Sequence, residues 1–293
     1  MTRAVDVVGL RKRMAKLSTK EGLKKGLSME SKETDVFISP FSKCGTTWLQ
    51  QILHTLRTHG DMDFDDISRV VPWVEVSHDL GIDLSLAQKA TPRLFKSHLP
   101  YERIPKPGKY VVSLRDPGDA LVSAFHFMQG WLFEAGSISL EEFARQTFIE
   151  DPAYRYFRHF RSWWSVRDKA NVLLIFFEDM KEDLETHVRR IASFIDISLS
   201  SELLQTTLEH SSLDFMKSHL DKFDDCLMRD RSEKEAGIPP GSDSAKVRDG
   251  KVGSHQNELS QEIKEEIDQL WLRELSEITG HLSYSALRTS KSV

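Results

Sequence analysis

The chain is short of cysteine, has no long apolar run and carries no excess of positive charge, and each shortage removes a class of protein. Two cysteines in 293 residues, Cys44 and Cys226, are too few for a disulfide scaffold and lack the clustering of a zinc site. That usage fits a reducing compartment, with the cytoplasm as the default. No segment approaches the roughly 18 uninterrupted apolar residues of a membrane span, and the start lacks the apolar core of a secretory signal. The 40 Lys and Arg against 45 Asp and Glu leave a formal net charge of −5, so the molecule offers nucleic acid no general electrostatic footprint and any anion site is local. With only 10 prolines and 15 glycines the chain is neither collagenous nor low in complexity. It has no repeat of fixed period, which disfavours solenoids and propellers.

What is present is an α/β pattern. Asp35 to Ser39 reads as a short buried strand, followed by a turn and then Leu49, Ile52, Leu53 and Leu56 at helical spacing. The pattern returns at Tyr110 to Leu114, with Leu121, Ala124, Phe125 and Met128 on the next helix, and again at Asn171 to Phe177, with Val188, Ile191, Ala192 and Ile195. Strands alternating with helices predict one α/β domain with a central parallel sheet flanked by helices, its chemistry in the turns at the carboxyl ends of the strands. Tyr154, Phe157, Phe160, Trp163 and Trp164 recur at helical spacing and are assigned to the core.

Residues 1–30 hold eight Lys or Arg against three acids, with Val7, Val8, Leu10, Met14 and Leu17 available for one helical face. They read as a solvated basic leader helix, an organelle transit segment being the lesser alternative because Asp6 and Glu21 sit badly in one. The main domain spans 31–285, and 286–293 form a tail. Within the domain, 224–256 is rich in charge and glycine and nearly without apolar period, so it reads as a long loop, a linker or a lid over the site. Ile263, Ile267, Leu270, Trp271 and Ile278 then line a final helix that tethers it.

Phe41-Ser42-Lys43-Cys44-Gly45-Thr46-Thr47-Trp48 sits between the first strand and helix. Gly45 permits close backbone approach, Thr46 and Thr47 open a helix whose positive end favours phosphate, and Lys43 adds a charge. The lysine precedes the glycine, so this is not the Gly-x-x-x-x-Gly-Lys-Ser/Thr loop of ordinary nucleotide triphosphatases. Taken alone, the turn is as consistent with a structural role as with phosphate binding.

Four further segments, in order, resemble the cytosolic sulfotransferase family, whose first loop reads Tyr-Pro-Lys-Ser-Gly-Thr-Thr-Trp. Lys96-Ser97-His98-Leu99-Pro100 is similar to the family's Lys-Thr-His-Leu-Pro. Arg115 to Ser123 with His126-Phe127 resembles its Arg-Asn-x-x-Asp…Ser-x-x-His-Phe. Phe177-Glu178-Asp179-Met180 resembles Tyr-Glu-Asp-Met, and Arg248-Asp249-Gly250-Lys251-Val252-Gly253 resembles Arg-Lys-Gly-x-x-Gly. The likeness runs from about residue 35 to 280. It implies 3′-phosphoadenosine 5′-phosphosulfate (PAPS) as donor, a sulfuryl group passing to a hydroxyl or amine of a small-molecule acceptor, and no metal. His98 is implied as general base, Lys43 and Lys96 as stabilisers of charge on the leaving oxygen, and Ser123 as a group that holds Lys43 aside until both substrates are bound. For the nucleotide the resemblance implies Lys43, Cys44, Gly45, Thr46, Thr47, Trp48, Arg115, Ser123, Phe177, Ser211, Leu213, Arg248, Asp249 and Gly250. For the acceptor it implies Trp73, Glu75, Val76, His98 and Phe127.

This sequence departs from the family at several of these places. Phe177 stands for a tyrosine, Leu213 for a phenylalanine that stacks on adenine, Asp249 for a lysine, and Ser254-His255-Gln256 for Asp-Trp-Lys. The family's C-terminal dimer motif is not recognisable near Gln256, so monomer and dimer both stay open. Two other classes remain. A phosphotransferase of the nucleotide-kinase type would share the loop and require magnesium, and a non-catalytic nucleotide-binding module would lack the base.

Overall fold

The computed structural model describes residues 1–151, 155–241, 246–247 and 250–290. Four strands form its sheet: β1 (Val36–Ile38), β2 (Leu94–Lys96), β3 (Lys109–Leu114) and β4 (Val172–Phe176), in the spatial order β2-β1-β3-β4. Every pairing is parallel, with Phe37 opposite Phe95 and Tyr110, and Val112 opposite Leu174. The side-chain period of two then sorts the core. Phe37, Phe95, Tyr110 and Val112 enter one buried cluster, while Val36, Ile38, Leu94 and Val111 enter the other on the opposite face. A sheet covered on both faces has one open edge for ligands, the carboxyl ends of its strands. Ser97-His98, Arg115 and Phe177 follow those ends directly.

The helix Thr46–Thr58 follows β1 and packs its Leu49, Ile52, Leu53 and Leu56 into the second cluster, and Pro117–Met128 follows β3. Pro117 at its first position and Asp116 as its N-cap, accepting from the Asp119 amide at 3.1 Å, fix where that helix begins. Phe157, Phe160, Trp163 and Trp164 are core residues of the helix Arg155–Trp164, as their spacing predicts; Tyr154 lies outside the described residues. Among the described residues no helix is long and apolar enough to cross a membrane.

Four expectations need correction. The leader is not a solvated helix. Its helices α1 (Val7–Met14) and α2 (Lys20–Leu27) are capped by Asp6 and Thr19, and Ala4, Val7 and Leu10 join the main core while Val8 faces water. A Cβ on Gly26 would lie 1.9 Å from the Val74 carbonyl oxygen, so glycine is what lets α2 lie against the chain before β2. The stretch 224–256 is not loop throughout: Cys226–Ala236 is helical and buries Met228, Ser232 and Ala236. It lacks an apolar stripe because polar bonds hold it, Arg231 donating to the Leu17 and Asp79 carbonyls at 2.8 and 2.9 Å. The final helix ends at Glu274, with Ile278 in a separate turn, and the supposed tail continues as Tyr284–Thr289, whose Leu287 is fully buried. Tyr284 anchors this piece through its hydroxyl, which donates to Glu178 and lies 3.2 Å from the Leu114 carbonyl oxygen.

Candidate active site

The loop after β1 turns through two left-handed residues, Lys43 at φ 67° and Gly45 at φ 90°. A Cβ on Gly45 would stand 2.8 Å from the Phe177 ring, so glycine is required there both for conformation and for space. The carbonyls of Lys43 and Cys44 are taken by groups at the end of β3: Arg115 Nη1 donates to the first at 2.8 Å and Ser113 Oγ to the second. The first amides of the following helix have no intrahelical acceptor, as at any helix start. Beside them Thr46 Oγ1 and Arg115 Nε are buried without a hydrogen-bond partner. Unspent buried donors around a helix N-terminus are the chemistry of an anion site.

An aromatic corner adjoins this loop. Trp48 meets Phe177 edge-on at 5.6 Å between centroids and donates its indole N–H to the Ser211 carbonyl at 2.8 Å. The Arg115 guanidinium lies 4.4 Å over the other ring, and Leu213 and Gly250 line the same cavity. Arg115 also donates to the Lys251 carbonyl at 3.0 Å, so it ties the loop after β1 to the segment after Gly250. That segment is latched at its far end by Asp119, which accepts from the Gly253 and His255 amides and from His255 Nδ1 at 2.8 Å. Asp116, Asp119 and His255 bring their ligand atoms within 4.8 Å of one another, although the spacing of these residues in the sequence shows no such cluster. Burial opposes charge on His255, but its hydrogen bond to Asp119 and the charges of Asp116 and Asp119 outweigh that and raise its pKa. Arg248 and Asp249 lie outside the described residues.

His98 follows β2 and is fixed at both ends. Its amide donates to Glu75 Oε1 at 2.6 Å, and its Nδ1 stands 2.8 Å from the Pro40 carbonyl oxygen. A carbonyl only accepts, so Nδ1 carries the proton and Nε2 keeps its lone pair. Trp73 packs edge-on against the ring at 5.1 Å. Burial, with Lys96 nearby, lowers the imidazole pKa to about 3, so the side chain is neutral in the ligand-free protein at physiological pH.

Lys43 and Lys96 face the same cavity, each with its ammonium 3.9 Å from an aromatic centroid, Lys43 over Phe127 and Lys96 over Trp73. Burial and the neighbouring Lys246 lower Lys43 to about 7; burial lowers Lys96 to about 8 against the opposing pull of Asp225. Ser123 lines the cavity too, but no hydrogen bond joins it to Lys43; the Phe127 face holds the ammonium instead. Cys44 is a buried thiol pushed up to about 12 by desolvation, so it is a packing residue of the loop and no nucleophile.

One cavity of about 630 Å³ is lined by Trp48, Phe177, Arg115, Lys43, Lys96 and His98 and continues into an apolar chamber; Cys44, Asp119 and His255 lie outside its lining. Trp73, Glu75, Val76 and Phe127, the residues that the resemblance implies for an acceptor, line it as well. The sequence did not reveal the rest of the wall. Met14, Leu17 and Leu23 come from the leader, Trp131 and Leu132 from the turn after the helix Pro117–Met128, and Met228 from the supposed loop. The i, i+3 spacing of Met14 and Leu17 is the one signal the sequence offers for this wall, and it fits a solvated helix equally well. Lys246 and Asp225 were missed too; each belongs to a polar stretch without a motif.

Comparison with known proteins matches this arrangement. The family model for the sulfotransferase domain covers residues 33–279. Sulfotransferase 1B1 of Canis lupus familiaris is 28% identical over 262 residues, covering 85% of this chain and 86% of the relative. Amine sulfotransferase of Oryctolagus cuniculus is 28% identical over 260 residues, covering 85% and 83%. Among solved structures, mouse sulfotransferase SULT7A1 complexed with PAP aligns with a TM-score of 0.69 at 22% identity, over 94% of this chain and 95% of that one. Retinol dehydratase in complex with androsterone and inactive cofactor PAP aligns with the same score at 21% identity, over 91% and 86%. The strand-loop-helix frame and a domain match over residues 33–279 place the chain in the sulfotransferase family.

Proposed function

We propose that the protein moves the sulfuryl group of PAPS to a hydroxyl or amine on a small, largely apolar acceptor, with His98 as general base. The carrying observation is the orientation of His98: Nδ1 is committed to Pro40, and Nε2 remains available where the cationic half of the cavity meets its apolar half. The donor supplies an activated sulfuryl group and about four negative charges. The residues present fit such a polyanion. Lys43, Lys96, Lys246 and Arg115 converge on one cavity, and the buried Thr46 hydroxyl and Arg115 Nε lack partners.

In this reading Trp48, Phe177 and Leu213 hold the adenine, with Ser211 fixing Trp48. Arg115, Ser123 and Gly250 meet the 3′-phosphate, the resemblance adding Arg248 and Asp249, and the amides of Gly45, Thr46 and Thr47 take the 5′-phosphate. Arg115 reaches that anion with Nε or by releasing one of its two carbonyls. Lys43 and Lys96 leave their aromatic faces and stabilise the charge that grows on the bridging oxygen. His98 Nε2 takes the acceptor proton. A base with a pKa of about 3 is weak, but the depression comes from burial and a neighbouring lysine, and a bound polyanion reverses the second of these.

Trp73, Val76, Phe127, Leu17 and Met228 would wall the acceptor, with Glu75 fixing the His98 backbone. Two free thiols accord with action in the cytoplasm. The test is transfer from labelled PAPS to a panel of alcohols, phenols and amines. Transfer is expected without added magnesium and to be unchanged by a chelator; a magnesium-dependent transfer of phosphate would reverse the assignment.

A further inference from the structure

The catalytic end of the cavity holds an ion cluster that the first-loop and His98 motifs do not include. Asp225 is buried, at 5% exposure, immediately before the helix Cys226–Ala236, and its φ of 49° is left-handed. A non-glycine residue stays in that conformation where its surroundings demand it. Here the demand is visible: one oxygen, Oδ1, pairs with Lys246 Nζ and lies 4.0 Å from Lys96 Nζ. Both lysine side chains are at least nine-tenths buried, at 4% and 7% exposure, and both line the cavity with Lys43.

The charges do not balance. A buried ion pair kept only for structure is neutral, because an uncompensated charge out of water is costly. Among the described residues Asp225 is the only carboxylate in a salt bridge with Lys43, Lys96 or Lys246, so three lysines that a bound anion would charge fully have one resident carboxylate between them. Other acids nearby are engaged or weakened. Asp66 accepts from the Ser68 and Leu227 amides, and burial raises the pKa of Glu75 towards neutrality. The surplus faces the point where, on the reading above, the sulfuryl group must pass between the phosphate loop and His98.

We propose that Lys246 is a third lysine of the reacting centre, meeting the sulfuryl end of the donor beside Lys43 and Lys96, and that Asp225 is the positioning residue that holds Lys246 and Lys96 there. The inference rests on the sulfuryl-transfer reading. In the step itself the acceptor oxygen bonds to sulfur and the bond from sulfur to the bridging oxygen breaks. That electron pair stays on the phosphate of the nucleotide product, and the acceptor proton goes to His98 Nε2. Lys246 contributes charge and keeps its protons. Asp225 keeps the two ammonium groups together before the donor arrives and yields them to its anion.

The test uses the full chain with Lys246→Met, Lys246→Arg and Asp225→Asn, reading kcat and, by calorimetry, affinity for 3′,5′-bisphosphoadenosine, which has no sulfuryl group. Lys246→Met is expected to lower kcat by about tenfold or more while product affinity stays within about threefold, and Lys246→Arg to restore most of the loss. Asp225→Asn removes the charge that supports the lysine protons against Lys43, Lys96, Lys246 and Arg115, with only the engaged Asp66 and weakened Glu75 left nearby. The alkaline limb of its pH profile is therefore expected to move to lower pH by about half a unit or more, a shift that loss of packing alone does not produce. The proposal is overturned by an unchanged kcat in Lys246→Met, by product affinity falling as far as kcat, or by an unmoved limb in Asp225→Asn. If Lys246→Met does not fold, the limb in Asp225→Asn and the rate of Lys246→Arg decide alone. Failure of the underlying reading shows separately, as wild-type protein that transfers nothing from PAPS.

Discussion

Binding of a nucleotide bisphosphate should be coupled to proton uptake, because the cavity stores lysines that are not fully charged. Burial and crowding by Lys246 hold Lys43 at about 7, and burial holds Lys96 at about 8. At pH 8 the first is about nine-tenths deprotonated and the second about half. A polyanion raises both values. Affinity is then fully expressed below the free-state pKa and declines as pH rises from that value towards the bound one, by up to about tenfold per unit for each titrating lysine. The phosphates are already ionised at pH 8, their second pKa being about 6, so they release nothing to mask the effect. Calorimetric titration with 3′,5′-bisphosphoadenosine in buffers of different ionisation enthalpy should report uptake of about one proton or slightly more at pH 8. At pH 6 the lysines contribute almost nothing. Heats independent of buffer at pH 8, or an affinity flat between pH 7 and 9, would refute the assignment of both lysines to the anion site.

Replacing His98 by alanine should cut turnover by about 10²- to 10⁴-fold and leave product affinity nearly unchanged, since its free nitrogen faces the acceptor; a fully active variant removes it as base. Arg115→Ala should weaken 3′,5′-bisphosphoadenosine by about tenfold or more and adenosine 5′-monophosphate far less, so equal losses on the two nucleotides would place Arg115 away from the 3′-phosphate. His255→Ala should speed amide exchange at Gly253 to Leu259 by opening the Asp119 latch. Because the folded-state pKa of His255 is raised, the wild-type latch is strongest below the unfolded value and weakens as pH rises through the folded one; equal exchange rates at low and high pH would count against it.

The frame of the fold was legible because β1, β3 and β4 are short runs rich in β-branched and aromatic residues closed by a turn signal, and a doubly covered parallel sheet follows from their alternation with helices; β2, only Leu94-Phe95-Lys96, carries no such run. The active-site loop was legible for a related reason: Lys43 to Trp48 is contiguous, and contiguity makes a motif. The helix Cys226–Ala236 was not legible, since its sequence has no apolar stripe and arginine bonds to distant carbonyls hold it in place. Asp225 and Lys246 become neighbours of Lys96 only through the fold, across more than a hundred residues, and no local spacing encodes that.

The leader shows where the family resemblance stops being informative. The sulfotransferase domain match begins at residue 33, yet Met14, Leu17 and Leu23 close the apolar chamber from outside that boundary. On the proposed reading the nucleotide half is built from strand-end loops whose residues must meet a fixed polyanion, and so it can be recognised by pattern. The acceptor half needs only apolar bulk in the right place, which many sequences supply equally well. Here it is supplied by helices that α2 can bring close because Gly22 and Gly26 lie against Asp79 and Val74. Substituting Gly26 by alanine would put a carbon 1.9 Å from the Val74 carbonyl oxygen and push α2 away from the segment carrying Trp73 and Glu75. The acceptor KM should then rise while nucleotide affinity holds, because the phosphate loop hangs on β1 and β3 and not on the leader. A parallel loss of nucleotide affinity would mean that the two halves of the cavity are not independently built.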